Sequence, residues 1–239
     1  MADARSSRSD DGDTPRNEEA NAAAWGVASR PESRWPALLA VLAAIALQVV
    51  LPQRIVQGLG NRAIVPALEG VLLVVLLVTN PGKISREESR LRLVGVALIA
   101  LISVVNVISL VELIHALLYG SKATGRPLIY ASVPIWITNV IVFGLWYWEL
   151  DRGGPGERGE PSHRRPDFLF PQMSTPGSSP RWTPRFLDYL YTSFTNATAF
   201  SPTDTMPLTA WAKLLMMGQS LASLVTVAVV ISRAVNILA

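Results

Sequence analysis

Cysteine is absent from all 239 residues. Disulfides, thiolate metal sites and cysteine nucleophiles are therefore excluded together. Histidine is scarce as well: His115 and His163 stand in separate segments, and no HExxH, GxSxG or P-loop pattern occurs anywhere. Acidic residues do not cluster in a polar loop, so neither a catalytic site, a metal site nor a cofactor is expected, and an enzyme is not the expectation. Charge is the third shortage, at 16% of residues against 50% hydrophobic. With the apolar residues gathered in long blocks, the chain reads as an all-α integral membrane helical bundle whose first partner is the lipid bilayer. The net charge of +3 does not point to nucleic acid, because many basic residues flank apolar segments, where the positive-inside rule expects them.

Residues 1–34 are rich in Ser, Asp, Glu, Asn, Ala and Arg without an apolar run, and are expected to be a disordered polar tail. They lack the pattern of a secretory signal, so the first apolar helix is expected to direct insertion. Residues 35–148 then read as a four-helix membrane bundle. The first span runs from Pro36 to Leu51, led by Trp35 and closed by Pro52. The second, Ala63 to Thr79, carries Glu69 near its middle, where an acidic group costs about 2.5–3.5 kcal/mol on insertion scales. The third, Leu93 to Tyr119, holds Asn106 at its midpoint and Glu112 with His115 at i, i+3. The fourth, Pro127 to Trp148, contains Pro134 as an expected kink and Asn139 near its middle, and it ends in the aromatic belt Trp146, Tyr147, Trp148.

Residues 149–182 change character, with Gly153, Gly154, Pro155, Gly156, Arg164 and Arg165 marking an exposed polar linker. Its DFLF island, Asp167 to Phe170, is expected either on the membrane surface or under the bundle. Residues 183–239 form the last unit. Thr183 and Pro184 open a helix with Leu187, Leu190, Phe194 and Ala197 on one face and Asp188, Thr192, Thr195 and Asn196 on the other. Its roughly 14–16 residues reach about 21–24 Å, less than the ~30 Å hydrocarbon core, so it dips in better than it spans. A final helix, Leu208 to Leu238, carries the small-residue stripe Gly218, Ala222, Thr226 and ends near Arg233, which is expected to snorkel. The count is five transmembrane helices plus one short re-entrant or pore-like helix.

The order Asp188, Leu190, Tyr191, Ser193, Phe194, Thr195, Thr198, Asp204, Pro207, Thr209, Lys213 resembles the pore module of potassium-selective channels over Phe186 to Ile237. The whole chain also resembles uncharacterised bacterial multi-pass membrane proteins that end in such a segment. The pore likeness implies an ion-channel-like module, conducting ions in a homo-oligomer, with Thr195, Asn196, Thr198 and Asp204 on the ion pathway. Ser201, Pro202 and Thr203 stand where that family has Gly-Tyr-Gly, so potassium selectivity is not implied. The alternative is a membrane scaffold or partner-binding subunit without transport activity, its protein partner not identified by the sequence.

Several residues keep two readings. Glu69 is either an ion or proton site or a carboxyl that locks the bundle, and it is expected to meet Asn106 or Asn139. Asn106 and Asn139, at a depth shared by Gln219 and Ser223, read as interhelical glue. Glu112 and His115 read either as a proton relay or half a metal site, or as an interfacial pair. Thr195 and Thr198 either contact an ion or bond back to their own helix, and Asp204 either steadies the turn or caps the last helix. Arg30, Arg34, Lys83, Arg86, Arg90 and Arg92 outnumber the basic residues of the alternate loops, which places the N-terminus in the cytoplasm of a cell membrane. The short helix then enters from the cytoplasmic side, whereas potassium channels present theirs from outside.

Overall fold

The computed structural model describes residues 32–51, 64–79, 89–119, 125–158, 165–174, 182–198 and 204–238. The expected disordered tail lies outside them except for its last three residues. The apolar blocks form helices close to the expected bounds: α1 Trp35–Val50, α2 Ile64–Thr79, α3 Ser89–Tyr119 and α4 Gly125–Leu150. Pro134 lies inside α4 and does not end it. After a 3-10 turn at Asp151–Gly153 come the one-turn α5 (Pro155–Arg158), β1 (Phe168–Leu169) and the one-turn α6 (Pro171–Ser174). The chain finishes with α7 (Phe186–Thr198), β2 (Met206–Pro207) and α8 (Ala210–Leu238).

Three helices are long and apolar enough to cross a membrane, over Arg92–Tyr119, Leu128–Gly153 and Ala210–Ser232. Helices α1 and α2, at 16 residues each, reach about 24 Å and fall short of the ~30 Å hydrocarbon core. Helix α4 is the hub. Two-thirds of its apolar window is buried inside the protein, against about a third for α3 and less for α8, because α1, α3, α7 and α8 all pack around it. The outward positions stay apolar, as at Val71, Val74, Leu214, Met217 and Leu221, which suits a lipid-facing surface.

Contacts at the helix ends fix the direction of each element. Glu32, just before α1, meets Trp148 at the end of α4, and Arg92 at the start of α3 meets Glu149. Tyr189 in the first turn of α7 and Trp211 at the start of α8 reach the same region through Asp151 and Asp167. Helices α7 and α8 therefore both begin at the end where α4 finishes, and both run antiparallel to it. Between them the chain comes back: Thr205 lies beside Thr192, 3.1 Å between hydroxyls, and β2 pairs antiparallel with β1, Phe168 opposite Pro207. The described residues on either side of 199–203 thus form two arms of a hairpin, α7 packed on α4 and β2 back at the end where α7 begins.

The exposed linker expected at 149–182 is corrected for the residues described. Asp151, Arg152, Arg158, Phe168, Phe170 and Met173 are buried, and DFLF packs under the bundle against Tyr147, Tyr189 and Trp211. The composition suggested exposure, but the charges are paired among themselves. Helix α4 ends where Arg152, Gly153 and Gly154 all take positive φ, and a Cβ at Gly154 would sit 2.8 Å from the Glu149 carbonyl oxygen.

A second glycine sets the distance between α4 and the hairpin. A Cβ on Gly144 would lie 3.1 Å from the Leu190 Cα, so any larger residue must push the two helices apart by a few tenths of an ångström. Gly144→Val is expected to cost about 1–3 kcal/mol by overpacking and to lower the thermal midpoint in detergent. Gly70→Ala, where nothing lies within 4 Å, serves as the control and should leave the midpoint unchanged or slightly raised.

Candidate functional site: a pinned hairpin and its ionic cap

Two polar assemblies hold the hairpin. The inner one centres on Gln219 of α8, which is fully buried. Its amide nitrogen donates to the Ser193 carbonyl oxygen at 2.9 Å and to the Ser193 Oγ at 2.6 Å. Its Oε1 accepts from the Tyr147 hydroxyl at 2.6 Å and from the Asn196 amide at 2.8 Å. Ser193 in turn donates to the Val140 carbonyl oxygen of α4 at 2.6 Å. Asn196 also donates to the Met216 carbonyl oxygen and accepts from Ser220. One turn deeper, Asn139 donates to Ser223 at 2.9 Å. One glutamine thus ties α4, α7 and α8 together with donor and acceptor both used, as a buried polar group requires.

The outer assembly caps the end where the hairpin begins. Arg158 is buried and donates to the carbonyl oxygens of Trp148 at 2.6 Å and Asp151 at 3.0 Å, closing the last turn of α4, whose carbonyls have no helical partner. Its guanidinium also faces Glu32 Oε2 at 3.4 Å and lies 5.1 Å from the Tyr189 ring centroid. Burial alone would pull the Arg158 guanidinium down, yet Tyr189, Glu32 and Asp151 carry it above its usual value. Asp151 accepts from the Tyr189 hydroxyl at 2.6 Å and from the Asp167 backbone N–H at 2.8 Å. Asp167 accepts from the Arg152 backbone N–H and from the Trp211 indole. Arg92 adds a 2.8 Å ion pair with Glu149 and a bond to its carbonyl oxygen.

The residues expected on an ion pathway separate. Thr195 donates to the carbonyl oxygens of Tyr191 and Thr192, and Thr198 to that of Thr195, so both hydroxyls bond back to their own helix. Asn196 belongs to the Gln219 network, and Asp204 is exposed before β2. Ser201, Pro202 and Thr203 lie outside the described residues, as does the Arg233 side chain.

Glu69 is buried as expected but meets neither Asn106 nor Asn139: its Oε1 accepts from the Gln48 amide of α1 at 3.3 Å. The reason is direction. Helices α1 and α2 run antiparallel, and Glu69 near the start of α2 falls beside Gln48 near the end of α1. Asn139 joins Ser223, while Asn106 is buried on α3 without a hydrogen bond to Glu69 or Asn139 among the described residues. Glu112 and His115 are not joined by a hydrogen bond or ion pair among the described residues, and His115 packs its ring on Tyr119 at 4.9 Å.

Sequence reasoning missed Gln48, Tyr147, Tyr189 and the ionic cap. A glutamine two residues before the end of an apolar helix, and a tyrosine inside a segment read as an interfacial belt, were the available signals. No group of three or more His, Asp or Glu that could hold a metal occurs among the described residues. Comparison with protein-family models, curated proteins and solved structures gives no match.

Replacing Gln219 by Leu leaves the buried Tyr147 hydroxyl without its acceptor, at about 1–3 kcal/mol for a group left unsatisfied, and removes bonds from Ser193 and Asn196, which keep those to Val140 and Met216. Gln219→Leu should therefore lower the thermal midpoint in detergent far more than Ser220→Ala, which removes one peripheral donor.

Proposed function

We propose that the protein is a five-span membrane protein of the cell membrane whose segment Phe186–Leu238 is a channel-like module, working in a homo-oligomer that passes ions. The observation that carries this reading is the hairpin. Its helix of 13 residues, about 20 Å long, falls short of the ~30 Å hydrocarbon core, and β2 lies back at the end where that helix starts, ahead of the long α8. Irregular backbone at membrane depth is tolerated where it is buried in protein or lines a water-filled path, and re-entrant elements of channels are built this way. The Gln219 network would hold the helix at a fixed depth. Hydroxyl oxygens at Thr195 and Thr198 keep lone pairs while their protons bond to the helix, so they remain usable as weak ion ligands. A path formed by one hairpin per chain needs several copies around an axis. Spans α1 and α2 would be accommodated by local thinning of the bilayer. The end carrying Arg34, Arg92, Arg185 and Lys213 is the cytoplasmic side in this reading, together with the N-terminus.

A second reading, a membrane scaffold or partner-binding subunit, is favoured by one observation: the inner polar side chains are consumed by bonds between helices. Purified protein in liposomes decides between them. The channel reading expects cation flux that falls severalfold in Thr198→Val; absence of flux at every voltage and pH tested sinks it. Absence of flux together with a stable partner held through residues 149–182 supports the scaffold.

A further inference from the structure

The Glu69–Gln48 pair has one donor too few. Both side chains are buried, Glu69 fully and Gln48 to 5% exposure, and the amide nitrogen of Gln48 reaches Glu69 Oε1. Glu69 Oε2 and Gln48 Oε1 are also buried, and among the described residues neither accepts a hydrogen bond. Two acceptor oxygens on facing side chains thus lack a single proton between them. We propose that Glu69 is a proton-binding site: its Oε2 carries the proton and donates it to Gln48 Oε1, while Gln48 donates back to Oε1, closing a cyclic acid–amide pair between α1 and α2. One proton then satisfies both oxygens and removes a buried negative charge.

A metal cation fits less well. Sodium or calcium would need several more oxygen ligands than these two, and the neighbouring turns offer Val41, Ala44, Ile45, Leu73 and Leu76, all buried and apolar. Among the elements packed on the pair, α1 has no titratable side chain and α2 has only Glu69. Helix α3 carries Arg92 at its start and Glu112 and His115 near its end, and α4, which packs on α1, carries Tyr130, Tyr147 and Glu149; Arg92 is engaged with Glu149 and Tyr147 with Gln219. Loss of the proton would leave a carboxylate facing an amide oxygen, so the α1–α2 contact is the element that deprotonation loosens. This inference stands apart from ion passage through the hairpin, since it involves neither α7 nor α8.

Infrared spectroscopy of the full chain in liposomes at about pH 8, well above the ordinary Glu value of ~4.3, tests it directly. The wild-type protein should show the carbonyl stretch of a protonated carboxyl. Glu69→Gln, whose amide can still pair with Gln48, should lose that band, and Gln48→Leu should shift it to the higher frequency of a carbonyl without a hydrogen bond. A wild-type spectrum with no protonated-carboxyl band overturns the proposal whatever the variants do. A band that survives unchanged in Glu69→Gln belongs to another carboxyl and overturns it as well.

Discussion

A helix that packs a polar face against an apolar bundle must have the buried polar groups of that face satisfied by protein, because neither water nor lipid reaches them. That constraint falls most heavily on α7, and Gln219 answers it. Its two ends reach Ser193 and Asn196 on one helix and Tyr147 on another, and with the bonds of Ser193 to Val140 and of Tyr189 to Asp151 it sets the depth and rotation of α7. The close contact of Gly144 with Leu190 follows, since the bonds to Val140 and Tyr147 draw α7 onto α4 until a side chain larger than glycine's would be crowded. Buried networks of this kind act as a unit, which makes their loss cooperative.

The ionic cap solves the complementary problem at the bundle's end. Helix α4 finishes with unpaired carbonyls, and Arg158 and Arg92 supply cationic donors where the helix dipole is negative. Glu32 and Asp151 face Arg158 and Glu149 pairs with Arg92, while Asp167 receives the Arg152 N–H and the Trp211 indole, so carboxylates from three places in the chain tie the N-terminal approach, the turn after α4 and the start of α8 to one another. Buried ion pairs are weak sources of net stability but costly to break, so removing one partner of the cap costs more than the cap as a whole contributes.

The helices were legible because apolar blocks of this length leave little choice; Pro36, Pro52 and the Thr183-Pro184 pair marked their limits to within a residue or two. The short helix was legible from its length, and Gln219 and Ser223 were visible as polar residues at the level of Asn139. What the sequence withheld was pairing. Glu69 was matched to other mid-span residues by depth, yet its partner lies near the end of α1, where the antiparallel course of two short helices brings it. The turn after α4 looked exposed because glycine, proline and arginine are surface residues by composition, and composition does not reveal that Arg158 finds two carbonyls and a carboxylate inside the protein.

The central claim is that the hairpin begins and ends at the same side, held there by Gln219 within and the cap at its mouth. The absence of cysteine makes this measurable on an otherwise silent background. Single cysteines introduced as Arg185→Cys, Leu208→Cys and Tyr119→Cys, all at exposed positions, can be labelled with a membrane-impermeant thiol reagent in sealed vesicles of each orientation. The account predicts that positions 185 and 208 react from one side and position 119 from the other. Reaction of 185 and 208 from opposite sides would contradict it, because the short helix would then cross the membrane.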